Sequence, residues 1–102
     1  MRLLPLVLAA CSPVLVPAEA RINPTNPFSA LVTGTWDRDL EVWVEAEDGA
    51  TPPVEARAGE EAEVLVLGLR EGRTHALEVV ATDGDRTWSQ PVEVHTEPLP
   101  ED

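Results

Sequence analysis

Between Leu40 and Glu47 hydrophobic and polar residues alternate, with Leu40, Val42, Val44 and Ala46 in one phase and Glu41, Trp43, Glu45 and Glu47 in the other. Successive side chains of a strand point to opposite faces of the sheet, so this is the pattern of a half-buried β-strand. Asp48-Gly49 and Pro52-Pro53 end it with turn chemistry. Thr74 to Thr82 alternates in the same way, with Leu77, Val79 and Ala81 on one side, and Asp83-Gly84-Asp85 closes it. Phe28 to Trp36 reads as another strand, and Ala62 to Leu67 is a nearly unbroken aliphatic run. Trp88 to Thr96 is the last, and Pro91 within it predicts an edge strand or a bulge, because proline has no N–H to give to a ladder. Arg21 to Asn23 and Val54 to Ala58 are weaker candidates, and no window carries a capped helical stripe. Short strands separated by turns predict an all-β sandwich of about seven strands.

Ahead of these strands the pattern differs. Met1-Arg2 supplies one positive charge, and Leu3 to Ala10 is an apolar run that suits the h-region of a secretory signal. It is far shorter than the ~20 residues that span a bilayer core. The run ends in Leu8-Ala9-Ala10-Cys11-Ser12, and Cys11 is the only cysteine of the chain. That spelling resembles a bacterial lipoprotein signal. The resemblance implies cleavage before Cys11, a diacylglyceryl thioether on its sulfur and an acylated new amino terminus. With Ser12 following, it implies sorting to an outer rather than an inner membrane of the cell envelope. A lone cysteine in an exported chain has no disulfide partner, which agrees with this reading. The alternative is an ordinary signal peptide cut nearby, leaving Cys11 removed or inert. Pro13, Pro17, Pro24 and Pro27 then read as an extended tether, holding a domain some tens of Å from the membrane at most. The organisation expected is residues 1–10 as signal peptide, 11–27 as lipidated Pro-rich tether, 28–97 as sandwich and 98–102 as acidic tail.

Charge narrows the partners. The formal net charge is −12, lysine is absent and the arginines are scattered. Binding to nucleic acid or anionic lipid needs clustered Lys or Arg for the phosphates, so neither is expected as a bound partner. A sandwich starting at Pro27, with one Phe, three Trp and no disulfide, sits near the lower size limit for a self-sufficient core. It is expected to melt at modest temperature and to gain stability from salt that screens its acids.

Leu67-Gly68-Leu69-Arg70-Glu71-Gly72-Arg73-Thr74-His75-Ala76-Leu77-Glu78-Val79 resembles the E–F region of a fibronectin type III domain. Glu71 stands where that family often has proline, and His75 where it has the corner tyrosine. Trp36 fits the family's buried strand-B tryptophan. An imidazole reaches less far than a tyrosine hydroxyl, so the resemblance implies a looser or differently bonded corner. A narrower likeness covers Asn23-Pro24-Thr25-Asn26-Pro27-Phe28, Val66-Leu67-Gly68-Leu69, Ala81-Thr82-Asp83 and Thr96-Glu97-Pro98-Leu99-Pro100-Glu101-Asp102. Together these resemble the N-terminal sandwich domain of bacterial aryl-sulfate sulfotransferases. In that family the sandwich precedes a β-propeller carrying the histidine that becomes sulfated. Neither His75 nor His95 lies in a matching motif, so the resemblance implies context and no activity in this chain.

The residues read on their own also yield no catalyst. A nucleophile needs an adjacent base and an orienting group, whereas His75 and His95 fall on neighbouring strands, the first facing inward with Leu77 and the second outward with Glu93. Asp37-Arg38-Asp39 and Asp83-Gly84-Asp85 offer hard oxygen donors. Neither has the spacing of a complete calcium loop, and Asp and Gly are what turns require. No catalytic residue, metal ligand or cofactor is therefore assigned. The candidate binding surface is an outer-face patch of Trp43, Val80 and Ala76, rimmed by Glu41, Glu45 and Glu78. Three functions are consistent with these features. The first is a lipid-anchored non-enzymatic envelope module, acting as spacer or protein-interaction domain. The second is a truncated or detached N-terminal domain of an aryl-sulfotransferase-like enzyme, its partner the missing propeller. The third is a small glycan- or protein-binding lipoprotein using the Trp43 face.

Overall fold

The computed structural model describes residues 12–98, which form an all-β, two-sheet sandwich with no helix. The strands are β1 (Val14–Asn23), β2 (Asn26–Trp36), β3 (Leu40–Ala46), β4 (Gly49–Ala50), β5 (Val54–Ala56), β6 (Glu61–Val66), β7 (Thr74–Thr82) and β8 (Thr87–His95). One sheet has the order β1-β2-β6 and the other β4-β3-β7-β8, with β5 also on β3. All pairings are antiparallel. The all-β sandwich expected from the sequence is the one observed, with eight strands in place of about seven.

The edge of β3 is completed in two pieces. β4 pairs with Glu45 and Ala46, β5 with Leu40 to Val42, and Pro52-Pro53 keeps the two from being one strand. Thr51 spans the gap. Its N–H donates to the Val44 carbonyl at 2.9 Å, and its hydroxyl accepts from the Val44 N–H at 3.0 Å. Both backbone groups of a buried residue are thereby satisfied where the ladder is interrupted. Pro91 lies on β8, the outermost strand of its sheet, in unbroken register with Glu78. Of the two expectations for this proline, the edge strand holds and the bulge does not occur.

The largest departure from expectation is at the start. Residues expected as a free tether form β1, which pairs with β2 from Val14↔Trp36 to Asn23↔Asn26. Only Arg21 to Asn23 was expected there as strand. The prolines misled because an edge strand tolerates them. Pro17 sits inside the register shift between Val16 and Glu19, where no ladder N–H is required. At the same irregularity the Ala18 N–H turns away from β2 and donates to Gln90 Oε1 of β8 at 3.0 Å, joining the two sheets along one side. Pro13 is fully buried, and its carbonyl accepts from the Asp37 N–H at 2.7 Å. Val14, Ala18, Ala20 and Ile22 pack against the core.

Alternation builds that core. Leu40, Val42 and Val44 from β3 and Leu77, Val79 and Ala81 from β7 face Ala30, Val32 and Trp36 from β2 and Ala62, Val64 and Val66 from β6. Trp36, 2 % exposed, is the largest side chain among them, and its Nε1 has no hydrogen-bond partner. A buried N–H left unpaired costs about 1–3 kcal/mol, so the ring is held by packing alone. Gly34 makes room for it, since a Cβ there would lie 2.9 Å from the Trp36 ring. Gly34→Ala is expected to lower stability by about 1–3 kcal/mol through overpacking, read as a reduced urea midpoint with unchanged m-value.

Candidate functional site

The outer face of the β3-containing sheet carries the patch read from the sequence. Trp43 stands opposite Val80 in the β3–β7 register, and Ala76 lies further along β7 opposite Glu93. The three do share one face, as parity predicted. They do not form a contiguous apolar surface. Val80 is 6 % exposed, so it is covered rather than presented, and only Trp43, half-buried, and exposed Ala76 remain accessible. The Trp43 indole N–H donates to Glu45 Oε2 at 3.1 Å, tying the ring to its own strand. Around it the face is acidic. Glu41 stands opposite Glu55 and Glu45 opposite Glu78, like charges in direct register, an arrangement that opposes folding at low salt.

The two aspartate loops use their carboxylates for themselves. Asp37 holds the Arg38 guanidinium at 2.6 Å, Asp39 Oδ1 accepts from the Ala58 N–H, and Asp83 Oδ1 accepts from the N–H groups of Asp85 and Arg86 at 2.8 Å each. Among the described residues no group of three His, Cys, Asp or Glu side chains is placed to hold a metal ion. The hydrogen bond from Arg38 lowers the Asp37 pKa below the ordinary aspartate value. The backbone donors Arg86 and Asp85 do the same for Asp83. Both groups bind a proton less readily folded than unfolded. Their stabilisation is fully present above the unfolded aspartate value near ~4 and is lost as pH falls through the folded values. The melting temperature of Asp83→Asn is therefore expected below that of wild type at pH 7, the gap narrowing steadily toward pH 3.

The turn between β6 and β7 is the most heavily bonded loop. His75, half-buried on the inward phase of β7, donates from Nε2 to the Arg70 carbonyl at 3.0 Å, doing from five residues away what the corner tyrosine does in the resembling family. The expectation of a differently bonded corner is met. Thr96, fully buried just beyond β8, adds what the imidazole lacks. Its hydroxyl donates toward the Arg70 and Arg73 carbonyls and accepts from the Arg73 N–H at 3.1 Å, while its own N–H donates to the Arg73 carbonyl at 2.9 Å. Gly72 turns the loop with φ 61°, a left-handed conformation that glycine takes without a Cβ penalty. His95 points outward, its Nδ1 3.1 Å from Thr74 Oγ1. The two histidines serve separate local bonds and are not brought together.

One feature was missed in the sequence. A cleft of ≈ 400 Å³ opens between the β3–β4 turn and the β6–β7 loop, lined among others by Asp48, Pro52, Leu67, Arg70 and His75. Leu65 and Leu67, 45 % and 66 % exposed, lie along it. The signal was present in the aliphatic run, because a period-two strand cannot bury consecutive residues on one face. Ala62, Val64 and Val66 are inside, so Leu65 and Leu67 face out. Cys11 lies outside the described residues. No helix among those described is long and apolar enough to cross a membrane. Fold and site define an antiparallel β-sandwich module. Comparison with protein-family models, with curated proteins and with solved structures finds no match for this chain.

Proposed function

We propose that this chain is a lipid-anchored, non-enzymatic β-sandwich module of the cell envelope, serving as a spacer or protein-interaction domain. The observation that carries the reading is the sequence Leu8-Ala9-Ala10-Cys11-Ser12 at the end of a short apolar run, in a chain with no other cysteine. Among the described residues His75 and His95 make separate local hydrogen bonds, to the Arg70 carbonyl and to Thr74. The test is intact mass and membrane fractionation of the protein expressed from Met1, beside Cys11→Ser. A mature species starting at Cys11, heavier by its acyl chains and released from membranes by Cys11→Ser, is the expected result. A soluble product without acyl mass refutes it.

A second reading, a detached N-terminal domain of an aryl-sulfotransferase-like enzyme, is favoured by Leu65 and Leu67. They are exposed along the β6–β7 loop, whose Gly72 N–H donates to the Glu97 carbonyl just beyond β8, as a surface awaiting a following domain would be. A propeller encoded in or near frame after Asp102 supports it, and unrelated sequence there removes it.

A further inference from the structure

Resting on the lipoprotein reading, we infer that the sandwich stands directly on the lipid surface without a tether, the loops at residues 37–39, 57–60 and 83–86 next to the headgroups and the Leu65–Leu67 cleft pointing away. The inference follows from where the fold begins. Pro13 is fully buried, its carbonyl is bonded to the Asp37 N–H, and Val14 already pairs with Trp36. Only Ser12 stands between Cys11 and Pro13, two steps along the chain with a reach of about 7 Å at full extension, where a free chain through Pro27 would give about 50 Å.

The three loops are tied to that same point. The Gly59 N–H donates to the Trp36 carbonyl at 2.8 Å, Ala58 N–H to Asp39 Oδ1 at 2.9 Å, and Arg38 lies 5.5 Å from the centre of the Trp88 ring at the start of β8. β1 runs away from this end to Asn23, and β6 runs alongside to Leu65 and Leu67, which lie about 20 Å further along at the rise of a strand. The membrane-facing loops carry Asp37, Asp39, Glu60, Asp83 and Asp85 against Arg38, Arg57 and Arg86. An excess of acid gives no attraction to anionic headgroups. The acyl chains and the short reach alone hold the domain down, and partners meet the distal end.

Lipidation consumes the one native thiol, so a second cysteine can be labelled by itself. Glu60→Cys and Leu67→Cys, both at exposed positions, are expressed from Met1, purified as acylated protein, labelled with a fluorophore and reconstituted in phosphatidylcholine vesicles containing headgroup-spin-labelled lipid. Quenching at least several-fold stronger at position 60 than at 67 is expected, and a twelve-residue Gly-Ser insertion between Ser12 and Pro13 is expected to abolish the difference. Equal quenching at the two positions in protein whose acyl mass is confirmed overturns the inference and leaves the lipoprotein reading standing. Protein without acyl mass overturns both.

Discussion

A fragment starting at Pro27 will not fold, whereas one starting at Ser12 will. Removing residues 12–26 strips β2 of its partner along the ladder from Val14↔Trp36 to Ile22↔Ala30. It also takes away Val14, Ala18, Ala20 and Ile22, which pack on the core, and the Pro13 carbonyl that receives the Asp37 N–H. The other sheet loses the Gln90 bond to Ala18. Covering even half of a Val or Ile side chain contributes on the order of 1 kcal/mol. Summed over these residues, the loss is comparable to the ~5 kcal/mol at the low end for a small domain. Circular dichroism and one-dimensional NMR separate the outcomes. The shorter fragment is expected to show collapsed amide dispersion at every temperature, and salt will not restore it, because screening relieves the Glu45–Glu78 and Glu41–Glu55 repulsions without replacing a strand. A dispersed, cooperatively melting Pro27 fragment would refute the account of β1 as part of the core.

Strand β1 shows what a sequence pattern carries and what it does not. Strand β3, and β7 up to Val79, were legible because one face is buried and the other solvated, so their alternation is written directly in residue type. β1 is an edge strand whose alternation is broken at a bulge. Val14, Leu15, Val16 and Pro17 follow one another without a polar residue, and the exposed Leu15 and Val16 look no different from buried ones. Four prolines in and around it then imitate a linker. Its partner is β2, and only the pairing shows that Pro17 falls where the ladder asks nothing of it. The Trp43 face was legible in direction and illegible in exposure. Parity places Trp43, Val80 and Ala76 on one side, but whether a large ring lies over its neighbour depends on a rotamer and on a glutamate two residues away. For the same reason the cleft beside Leu65 and Leu67 was not seen. It is formed by two turns distant in sequence, and only the assembled sandwich brings them together.

The corner at Thr96 gives the second large effect, and it distinguishes a hydrogen-bonding role from a packing one. Valine fills the same volume as threonine, so Thr96→Val preserves the packing and deletes the hydroxyl. The Arg73 N–H then loses the oxygen it donates to, and the Arg70 and Arg73 carbonyls lose a donor. Each buried group left unpaired costs about 1–3 kcal/mol. The Arg70 carbonyl keeps its bond from His75 and the Arg73 carbonyl keeps the Thr96 N–H, so the Arg73 N–H dominates and a total of about 1–3 kcal/mol is expected for Thr96→Val. His75→Phe removes one donor from a carbonyl that still has the Thr96 hydroxyl, at a half-buried position where water can substitute, and is expected to cost about 1 kcal/mol or less. The double variant leaves the Arg70 carbonyl with neither donor, so its cost is expected to exceed the sum of the two singles, by the coupling that a double-mutant cycle reads. Urea unfolding of the four proteins supplies that cycle. Additive costs would mean that His75 and Thr96 do not share Arg70 as their acceptor, and the corner would then be held by chain geometry at Gly72 rather than by these two side chains.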